Sequence, residues 1–347
     1  MNTLLSALFY FFIVLLIFGV FIFIHELGHF LTARLCRVSI KEFAIGMGPK
    51  LLSKISKKSK IKYTLRALPI GGFVSMEGED DASDDANAFC NKKLWQRILI
   101  VLAGPIMNLI LGFILMSILI CSQSTFYSTT IDFFGKQSTS NAYLQPNDVI
   151  IAIDNTKIYT GNDLSYEIMF QGYEPISVTV ERNGEIMTFD SVVFPTFEDT
   201  GAIFGQRDFA LKEETKNFSN IIKHTYFRSV STIKMVYDSL GGLLSGRFGM
   251  DAVSGPIGVT EVVGDAAKSG FSSFLYIITV LTINLGVFNL IPFPALDGGR
   301  LLFLIIEAIR RKPLNKNVEG YINFIGIIIL FAFMILVTFK DIFKLFF

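Results

Sequence analysis

The sequence predicts a multi-pass α-helical membrane protein with an α/β domain inserted outside the bilayer. Of its 347 residues, 51% are hydrophobic and 18% are charged, whereas soluble domains carry about 25% charged residues. Four apolar runs have the length of a membrane-spanning helix, which is about 20 residues. These runs are 4–31, 94–121, 271–291 and 321–337. The net charge is +1, which gives no reason to expect a nucleic-acid partner.

Basic residues predict how the four spans are oriented. The stretch 34–93 and the loop after the third span are both rich in Lys and Arg. Loops of this kind face the cytoplasm by the positive-inside rule. We therefore expect both termini and the long segment 122–270 to lie outside the cytoplasm.

The end of the first span carries the run His25-Glu26-Leu27-Gly28-His29. In a helix, His25 and His29 lie one turn apart on one face, so both imidazoles can bind one metal ion. Glu26 lies beside them, where it can act as a general base on a water at that metal. The alternative is a pair of histidines on the rim of a membrane helix. A His-Glu-His set at hydrocarbon depth is costly unless it is used, which favours the metal site.

A catalytic zinc site needs a third protein ligand. The remaining histidine, His224, lies in the segment predicted to be on the other side of the membrane, so we interpret it as a surface or interface residue. Asp297 is the best candidate, because two prolines and two glycines break the helix around it at the cytoplasmic end of the third span. Unwound backbone at that depth is tolerated where it lines a cavity. The alternative is that Asp297 caps a helix at the interface.

Both regions outside the spans show patterns of regular structure. Residues 43–49, 62–68 and 72–76 are short extended runs, which favours a β-hairpin against the metal site on the cytoplasmic side. Residues 126–195 alternate strands, turns and one helix, as a small α/β domain does. Apolar residues from Phe218 to Leu240 recur at steps of mostly three and four residues. This spacing predicts an amphipathic helix that lies on the membrane or against the insert.

These motifs together resemble one family. The His25–His29 run on one span with Leu296-Asp297-Gly298 on a later one is similar to the site-2 protease family of intramembrane zinc metalloproteases, most closely its bacterial regulator of sigma-E protease branch. Four further motifs of that branch have counterparts over nearly the whole chain. They are Phe43-Ala44-Ile45-Gly46-Met47-Gly48-Pro49, Leu68-Pro69-Ile70-Gly71-Gly72-Phe73-Val74, Gly104-Pro105-Ile106-Met107-Asn108 and Gln145-Pro146-Asn147-Asp148-Val149-Ile150.

The resemblance implies a role for each matching residue of the metal site. His25, His29 and Asp297 would bind Zn²⁺, and Glu26 would be the catalytic general base and proton carrier. For Asn108, in the second span, packing is favoured over a part in the chemistry.

The resemblance also implies a set of substrate-binding residues. Asn289, and Asn284 a little more than one helical turn earlier, would bind the substrate backbone; the alternative is hydrogen bonding between helices of the bundle. A short strand would hold the substrate as an added β-strand, because a helix must unwind before its peptide bond can be reached. This strand contains Gly71, Gly72, Phe73 and Val74.

The expected fold is therefore four transmembrane helices, a membrane-associated β-hairpin at about 40–80 and an extracytoplasmic PDZ-like domain. The chain has room for one PDZ domain, and its turn is Pro-Asn-Asp at 146–148; Asn tolerates the left-handed conformation that this turn needs. The sequence shows no clear Gly-rich peptide-binding loop, so we expect a size filter more than peptide capture. The predicted regions are a first membrane half, the PDZ-like domain, an amphipathic helical segment and a second membrane half, at 1–121, 122–198, 199–270 and 271–347.

The predicted function is intramembrane zinc proteolysis in a bacterial inner membrane. The expected substrates are single-pass membrane proteins that another protease has already trimmed, with anti-sigma factors and signal-peptide remnants as the types that the resemblance suggests. Apart from these substrates, the expected partner is the lipid bilayer. The alternatives are a metal-dependent transporter and a catalytically silent scaffold that presents a PDZ domain at the membrane.

Overall fold

The computed structural model describes residues 2–79, 81–199 and 201–346, and within them not the side chains of 2–8, 69–70 and 345–346. Met1 and Phe347, which bound the first and last predicted regions, lie outside the described residues. The side chains of Pro69 and Ile70, in one of the resemblance motifs, lie outside them as well.

The described chain is built from helices and short strands. The helices are α1 (Asn2–Leu35), α2 (Leu94–Ser122), α3 (Gly161–Gln171), α4 (Phe218–Leu244), α5 (Pro256–Ser269), α6 (Phe271–Leu290), α7 (Asp297–Arg310) and α8 (Lys316–Phe346). The strands are β1 (Ile40–Ile55), β2 (Lys62–Met76), β3 (Phe126–Phe134), β4 (Val149–Ile153), β5 (Thr156–Lys157), β6 (Ile176–Arg182), β7 (Glu185–Val192), β8 (Thr196–Asp199), β9 (Ala202–Gly205) and β10 (Phe209–Glu214).

The four predicted spans are confirmed as long apolar helices. By length and composition, the stretches that can cross a membrane are Phe9–Leu35, Leu94–Ser122, Phe271–Leu290 and Lys316–Lys344. Most of their side chains are not buried in the protein alone, as is expected of helices whose apolar surface faces lipid. The chain divides into two compact units: Met1–Gly112 with Ser254–Phe347, and Phe113–Val253.

In the first unit, β1 and β2 are long strands that bend into a small sheet. Phe43 pairs with Val74 on one side and with Tyr63 on the other, and Lys50 pairs with Arg66 further along. The order across this sheet is therefore 50–55, 62–66, 40–45 and 72–76, with the last segment at an edge. Apolar side chains on the inner part pack with α1, α2 and α7 into a core that includes Phe30, Val38, Ile100 and Leu304.

The distal arm of this hairpin projects away from the core of the unit. All residues from Lys50 to Ile55 are exposed, and the large apolar side chains Leu51, Leu52 and Leu65 are among the exposed ones. The arm is also basic, because 43–76 contains seven Lys or Arg residues and no acidic residue. The exposed surface of the arm therefore combines apolar groups with positive charge.

A sharp turn after α6 leads into α7, a short helix that the sequence analysis did not predict. Ala295 adopts a left-handed conformation with φ of 72°, and its N–H donates to Asn323 Oδ1 at 3.2 Å. A Cβ on Gly298 would lie 2.1 Å from the carbonyl oxygen of Ile291, and one on Gly299 would lie 2.3 Å from that of Phe293. Only glycine allows α7 to begin so close to the preceding turn.

The second unit contains the predicted α/β region. Strands β10, β3, β4, β6 and β7 are neighbours in that order in one sheet, with β5 beside β4, and β8 and β9 form a separate hairpin. The alternation of strands, turns and one helix that was predicted for 126–195 is confirmed: this stretch contains the strands β4, β6 and β7 and the helix α3. Asn147 adopts the expected left-handed conformation, with φ of 74°.

The stretch predicted to be helical from 199 to 270 differs at its start. Residues 202–205 and 209–214 are strands, and the helices begin only at Phe218 and Pro256. The reason is pairing at long range, because β10 joins the sheet beside β3. His224 lies on α4, where it is buried rather than at the surface: it stacks on Phe126 at 4.6 Å and its Nε2 is 2.8 Å from Glu214 Oε2.

Candidate metal centre and active site

Two helices bring together, in the first unit, three side chains that could hold one metal ion. His25 and His29 lie near the end of α1, and Asp297 is the first residue of α7. Asp297 Oδ2 is 2.9 Å from His25 Nε2 and 3.3 Å from His29 Nε2, and the two Nε2 atoms are 3.1 Å apart. These distances show that the Asp297 carboxylate is directed at the two histidines.

The spacing of these three atoms fits a zinc ion. A tetrahedral site with ligand distances of about 2.0–2.1 Å separates its ligand atoms by roughly 3.3 Å, close to the distances found here. Asp297 Oδ2 is buried and accepts no hydrogen bond of good geometry from any described residue. A buried carboxylate oxygen without a proton donor is costly, and a metal bond would remove that cost. Burial raises the pKa of the Asp297 carboxyl, but the two imidazoles outweigh it and hold this pKa below its usual range.

The ring of His29 is oriented by a backbone carbonyl of α2. His29 Nδ1 is 2.8 Å from the oxygen of Ile100. Since a carbonyl can only accept, Nδ1 carries the proton and donates it, which leaves a lone pair on Nε2. Metal-binding histidines are commonly fixed in this way through their other ring nitrogen.

Two glycines allow α1 and α2 to cross closely beside the metal-binding atoms. A Cβ on Gly28 would lie 2.3 Å from the carbonyl oxygen of Ala103. A Cβ on Gly104 would lie 2.3 Å from His29 Nε2 and 2.9 Å from His25 Cε1. Both glycines lie within the sequence motifs described above, but neither was predicted to have a role at the site.

Glu26 faces the edge segment of the hairpin sheet. Its Oε2 accepts a hydrogen bond from the N–H of Val74 at 3.1 Å. This N–H is therefore turned away from β1 and towards the metal-binding side chains. Close packing at Gly72 helps, because a Cβ there would lie 2.8 Å from the carbonyl oxygen of Ala44 and 3.5 Å from Glu26 Cγ.

These groups share one cavity of about 200 Å³. The three candidate ligands and Glu26 line it together with residues of β2 and α2 and an ion pair at its rim. The lining residues are His25, Glu26, His29, Phe73, Val74, Met76, Glu79, Ile100, Val101, Asp297 and Arg300. Arg300 pairs with Glu79, whose Oε2 also accepts from the N–H of Met76 at 3.2 Å. The rim therefore ties α7 to the end of the edge segment.

A second ion pair holds α7 against α2. Arg97 Nη1 donates to Glu307 Oε2 at 3.0 Å, and both side chains are largely buried. Because Asp297 is the first residue of α7, this pair also fixes the position of its carboxylate. The Glu307 carboxylate is therefore already engaged in an ion pair with Arg97.

The predicted substrate-binding residues are only partly brought to the cavity. Phe73 and Val74 line it, and Gly71 and Gly72 precede them on β2. Asn284 and Asn289 lie on α6 and are not among the lining residues. The Oδ1 atom of Asn284 is buried and has no hydrogen-bond partner among the described residues.

Comparison with known proteins identifies the family of this chain. The model of peptidase family M50 matches residues 12–333. A Clostridium acetobutylicum protein named as a putative zinc metalloprotease is 37% identical over 330 residues, covering 95% of this chain and 96% of that protein. The zinc metalloprotease RasP of Shouchella clausii is 30% identical over 433 residues, covering all of both chains. The regulator of sigma-W protease RasP of Bacillus subtilis is 30% identical over 418 residues, covering 96% of this chain and 98% of that protein.

Helices long and apolar enough to span a membrane, three side chains placed where they could hold one metal ion, and these relatives define an intramembrane zinc metalloprotease, with Zn²⁺ as its cofactor. The chain belongs to peptidase family M50, the site-2 protease family.

Proposed function

We propose that this protein is an endopeptidase that cuts single-pass membrane proteins within or near the bilayer, with zinc held by His25, His29 and Asp297. One observation carries the proposal: the three metal-binding atoms and the Glu26 carboxylate open into the same cavity as the outward N–H of Val74. That cavity combines a metal, a base and a peptide-binding edge. Peptide hydrolysis needs all three.

Zinc, when bound, supplies a Lewis acid that polarises the scissile carbonyl and lowers the pKa of a water. Glu26 removes a proton from the attacking water and then gives it to the nitrogen of the breaking peptide bond, so that this nitrogen leaves as a neutral amine. The carbonyl of Ile100 holds the ring of His29 in place through Nδ1. The Arg97–Glu307 pair keeps Asp297 in position during the reaction.

The substrate is bound in an extended form. The backbone N–H and C=O groups of a helix are already paired with one another, so a transmembrane helix must unwind before its peptide bond can reach Glu26 and its backbone can pair with a strand. The edge segment 72–76 can then bind it as an added strand, and Asn284 and Asn289 contact its backbone from α6.

The hairpin lies on the lipid surface at the cytoplasmic side of an inner membrane. Its distal arm combines exposed apolar side chains with a row of lysines, and this combination suits the boundary of an anionic leaflet. In this arrangement both termini and the 122–198 region are extracytoplasmic. The region 122–198 is a PDZ-like domain that excludes substrates with bulky outer parts.

The substrates are therefore membrane proteins that a first protease has already shortened. Bacillus subtilis RasP is named for regulating sigma-W, which supports anti-sigma factors as one substrate type; signal-peptide remnants are the other. A metal transporter would need further acidic groups along the spans, and Glu307 is already paired with Arg97. A silent scaffold would not need the base at Glu26.

Reconstitution in liposomes tests the proposal. The purified protein should cut a single-pass reporter with a short outer segment at a position in or near its span, as read by mass spectrometry, and a zinc chelator should stop the reaction. Zinc-loaded, folded protein that leaves the reporter intact would overturn the proposal. If the same liposomes instead accumulate zinc inside, the protein is a transporter.

The size filter needs its own comparison. Deletion of 126–214, which removes the whole sheet including β10, should leave cleavage of the short reporter intact and should add cleavage of a reporter whose folded outer domain is still attached. If the deletion abolishes cleavage of the short reporter while zinc and folding persist, the domain delivers substrates rather than filtering them.

A further inference from the structure

The candidate zinc ligand His25 has a neighbour on α2 that the sequence analysis assigned to packing. Asn108 is fully buried, and its amide nitrogen Nδ2 is 3.4 Å from His25 Nδ1. Its amide oxygen Oδ1 is also buried and has no hydrogen-bond partner among the described residues. A buried amide with one unpaired end is unusual, because leaving a polar group unpaired in an apolar interior is costly.

The metal role of His25 decides which end of the amide belongs next to the ring. This step rests on the proposed function, in which Nε2 of His25 binds zinc beside Asp297 Oδ2. A metal-bound nitrogen must offer its lone pair, so the single proton of the neutral ring sits on Nδ1. Nδ1–H then needs an acceptor. An amide N–H₂ group cannot accept, whereas an amide oxygen can.

We propose that Asn108 is a positioning residue, whose Oδ1 accepts a hydrogen bond from His25 Nδ1–H when zinc is bound. The two ends of an asparagine amide have nearly the same shape, so a half-turn about its last side-chain bond exchanges them within the same space. After this rotation the unpaired Oδ1 of Asn108 accepts a hydrogen bond from His25 Nδ1–H. It also fixes the ring of His25 with Nε2 directed at the metal.

The proposal gives the two histidines matching partners on one face of α2. Ile100, Gly104 and Asn108 are spaced four residues apart, so they lie along one stripe of the helix. The carbonyl of Ile100 contacts His29 Nδ1, Gly104 provides the space for both rings, and Asn108 contacts His25 Nδ1. The second span therefore supports both histidine ligands without binding the metal itself.

Two variants of similar shape separate hydrogen bonding from packing. Asn108→Asp keeps an acceptor next to Nδ1, whereas Asn108→Leu keeps the volume and removes the acceptor. Loss of such a partner typically weakens metal binding about 10–100-fold. We expect the zinc Kd of the full-length protein in detergent, measured by competition with a chromophoric chelator, to rise by about that factor for Asn108→Leu. Asn108→Asp should stay within a few-fold of the unchanged protein.

The Co²⁺-substituted proteins give a second readout, since the visible absorption of Co²⁺ reports the geometry of its ligands. The spectrum should change in Asn108→Leu and persist in Asn108→Asp. Thr282→Val is the matched control, because Thr282 is also a fully buried polar residue whose Oγ1 lacks a described partner, yet it lies beside Gly112 and is not among the residues that line the cavity. Its zinc Kd and spectrum should not change.

An unchanged zinc Kd in Asn108→Leu would overturn the proposal. An equal loss of zinc affinity in Asn108→Asp and Asn108→Leu would also overturn it, because only the packing of the asparagine would then matter. His25→Ala is measured alongside. If that variant keeps its zinc, the ligand assignment under the proposed function is wrong, whatever the Asn108 variants do.

Discussion

Gly104→Ala should disable the metal centre without removing any ligand. A methyl group on Gly104 would lie 2.3 Å from His29 Nε2, 2.6 Å from His29 Cε1 and 2.9 Å from His25 Cε1. Non-bonded heavy atoms prefer separations of about 3.5–4.0 Å. Either the His29 ring or the α2 backbone must therefore move by about 1 Å.

That displacement is large on the scale of a metal site. Zinc–ligand distances are held to within about 0.2 Å, and a misplacement of about 1 Å near reacting groups costs roughly 100-fold in rate. If α2 retreats instead of the ring, the carbonyl of Ile100 moves away from His29 Nδ1. Either response predicts a fall in zinc affinity of at least about 10-fold and a fall in kcat/KM of about 100-fold or more.

The assay is chelator competition for zinc together with cleavage of a reporter in detergent. Gly320→Ala is the matched control, because a Cβ at Gly320 on α8 meets no described atom within 4 Å. Alanine stabilises a helix by up to about 1 kcal/mol relative to glycine, so loss of helix propensity cannot explain a defect in either variant. Normal zinc affinity in Gly104→Ala would refute the close contact between α2 and the histidines.

Two further predictions concern the ligand set and the edge segment. Asp297→Ala should lose most of its zinc. His224→Ala is the control and should keep about one zinc per chain, because His224 is paired with Glu214 in the other unit. Zinc retention in Asp297→Ala would show that another residue is the third ligand. Val74→Pro removes the N–H that faces Glu26. The loss of a hydrogen bond worth about 1–2 kcal/mol predicts that reporter cleavage falls about 5–30-fold. Zinc should stay bound. Unchanged cleavage would mean that this edge does not hold the substrate.

The parts of the fold that the sequence predicted are set by local patterns. Each span is a continuous apolar run, so its helix can be predicted without knowing its neighbours. His25 and His29 are four residues apart on one helix, and their shared face follows from helical geometry alone. Asp297 could be proposed because a charged residue among helix breakers at membrane depth needs a partner.

The parts that the sequence did not predict depend on contacts between distant segments. The position of Gly104 against His29 spans 75 residues of sequence and cannot be inferred from either helix alone. Asn108 is isolated in an apolar helix, and such a residue fits packing as well as positioning until its neighbour His25 is known. Strand β10 follows a short polar stretch, and only its pairing with β3 makes it a strand.

The choice of Val74 over Phe73 as the probe of the edge segment also needed the structure. Both residues were predicted to hold the substrate, but successive N–H groups of a strand point in opposite directions. The hydrogen bond from Val74 to Glu26 identifies the outward N–H. Phe73 lies on the same edge segment, and its backbone pairs with Ala44 of β1.

The central claim is that Glu26 is the base of a zinc centre formed by other residues. Glu26→Gln keeps the shape of the side chain and removes its ability to take a proton, so the measurement is zinc content and reporter cleavage in the same purified sample. The account predicts about one zinc per chain and a loss of cleavage by several orders of magnitude. A Gln variant that binds zinc and still cuts the reporter at a near-normal rate would contradict it.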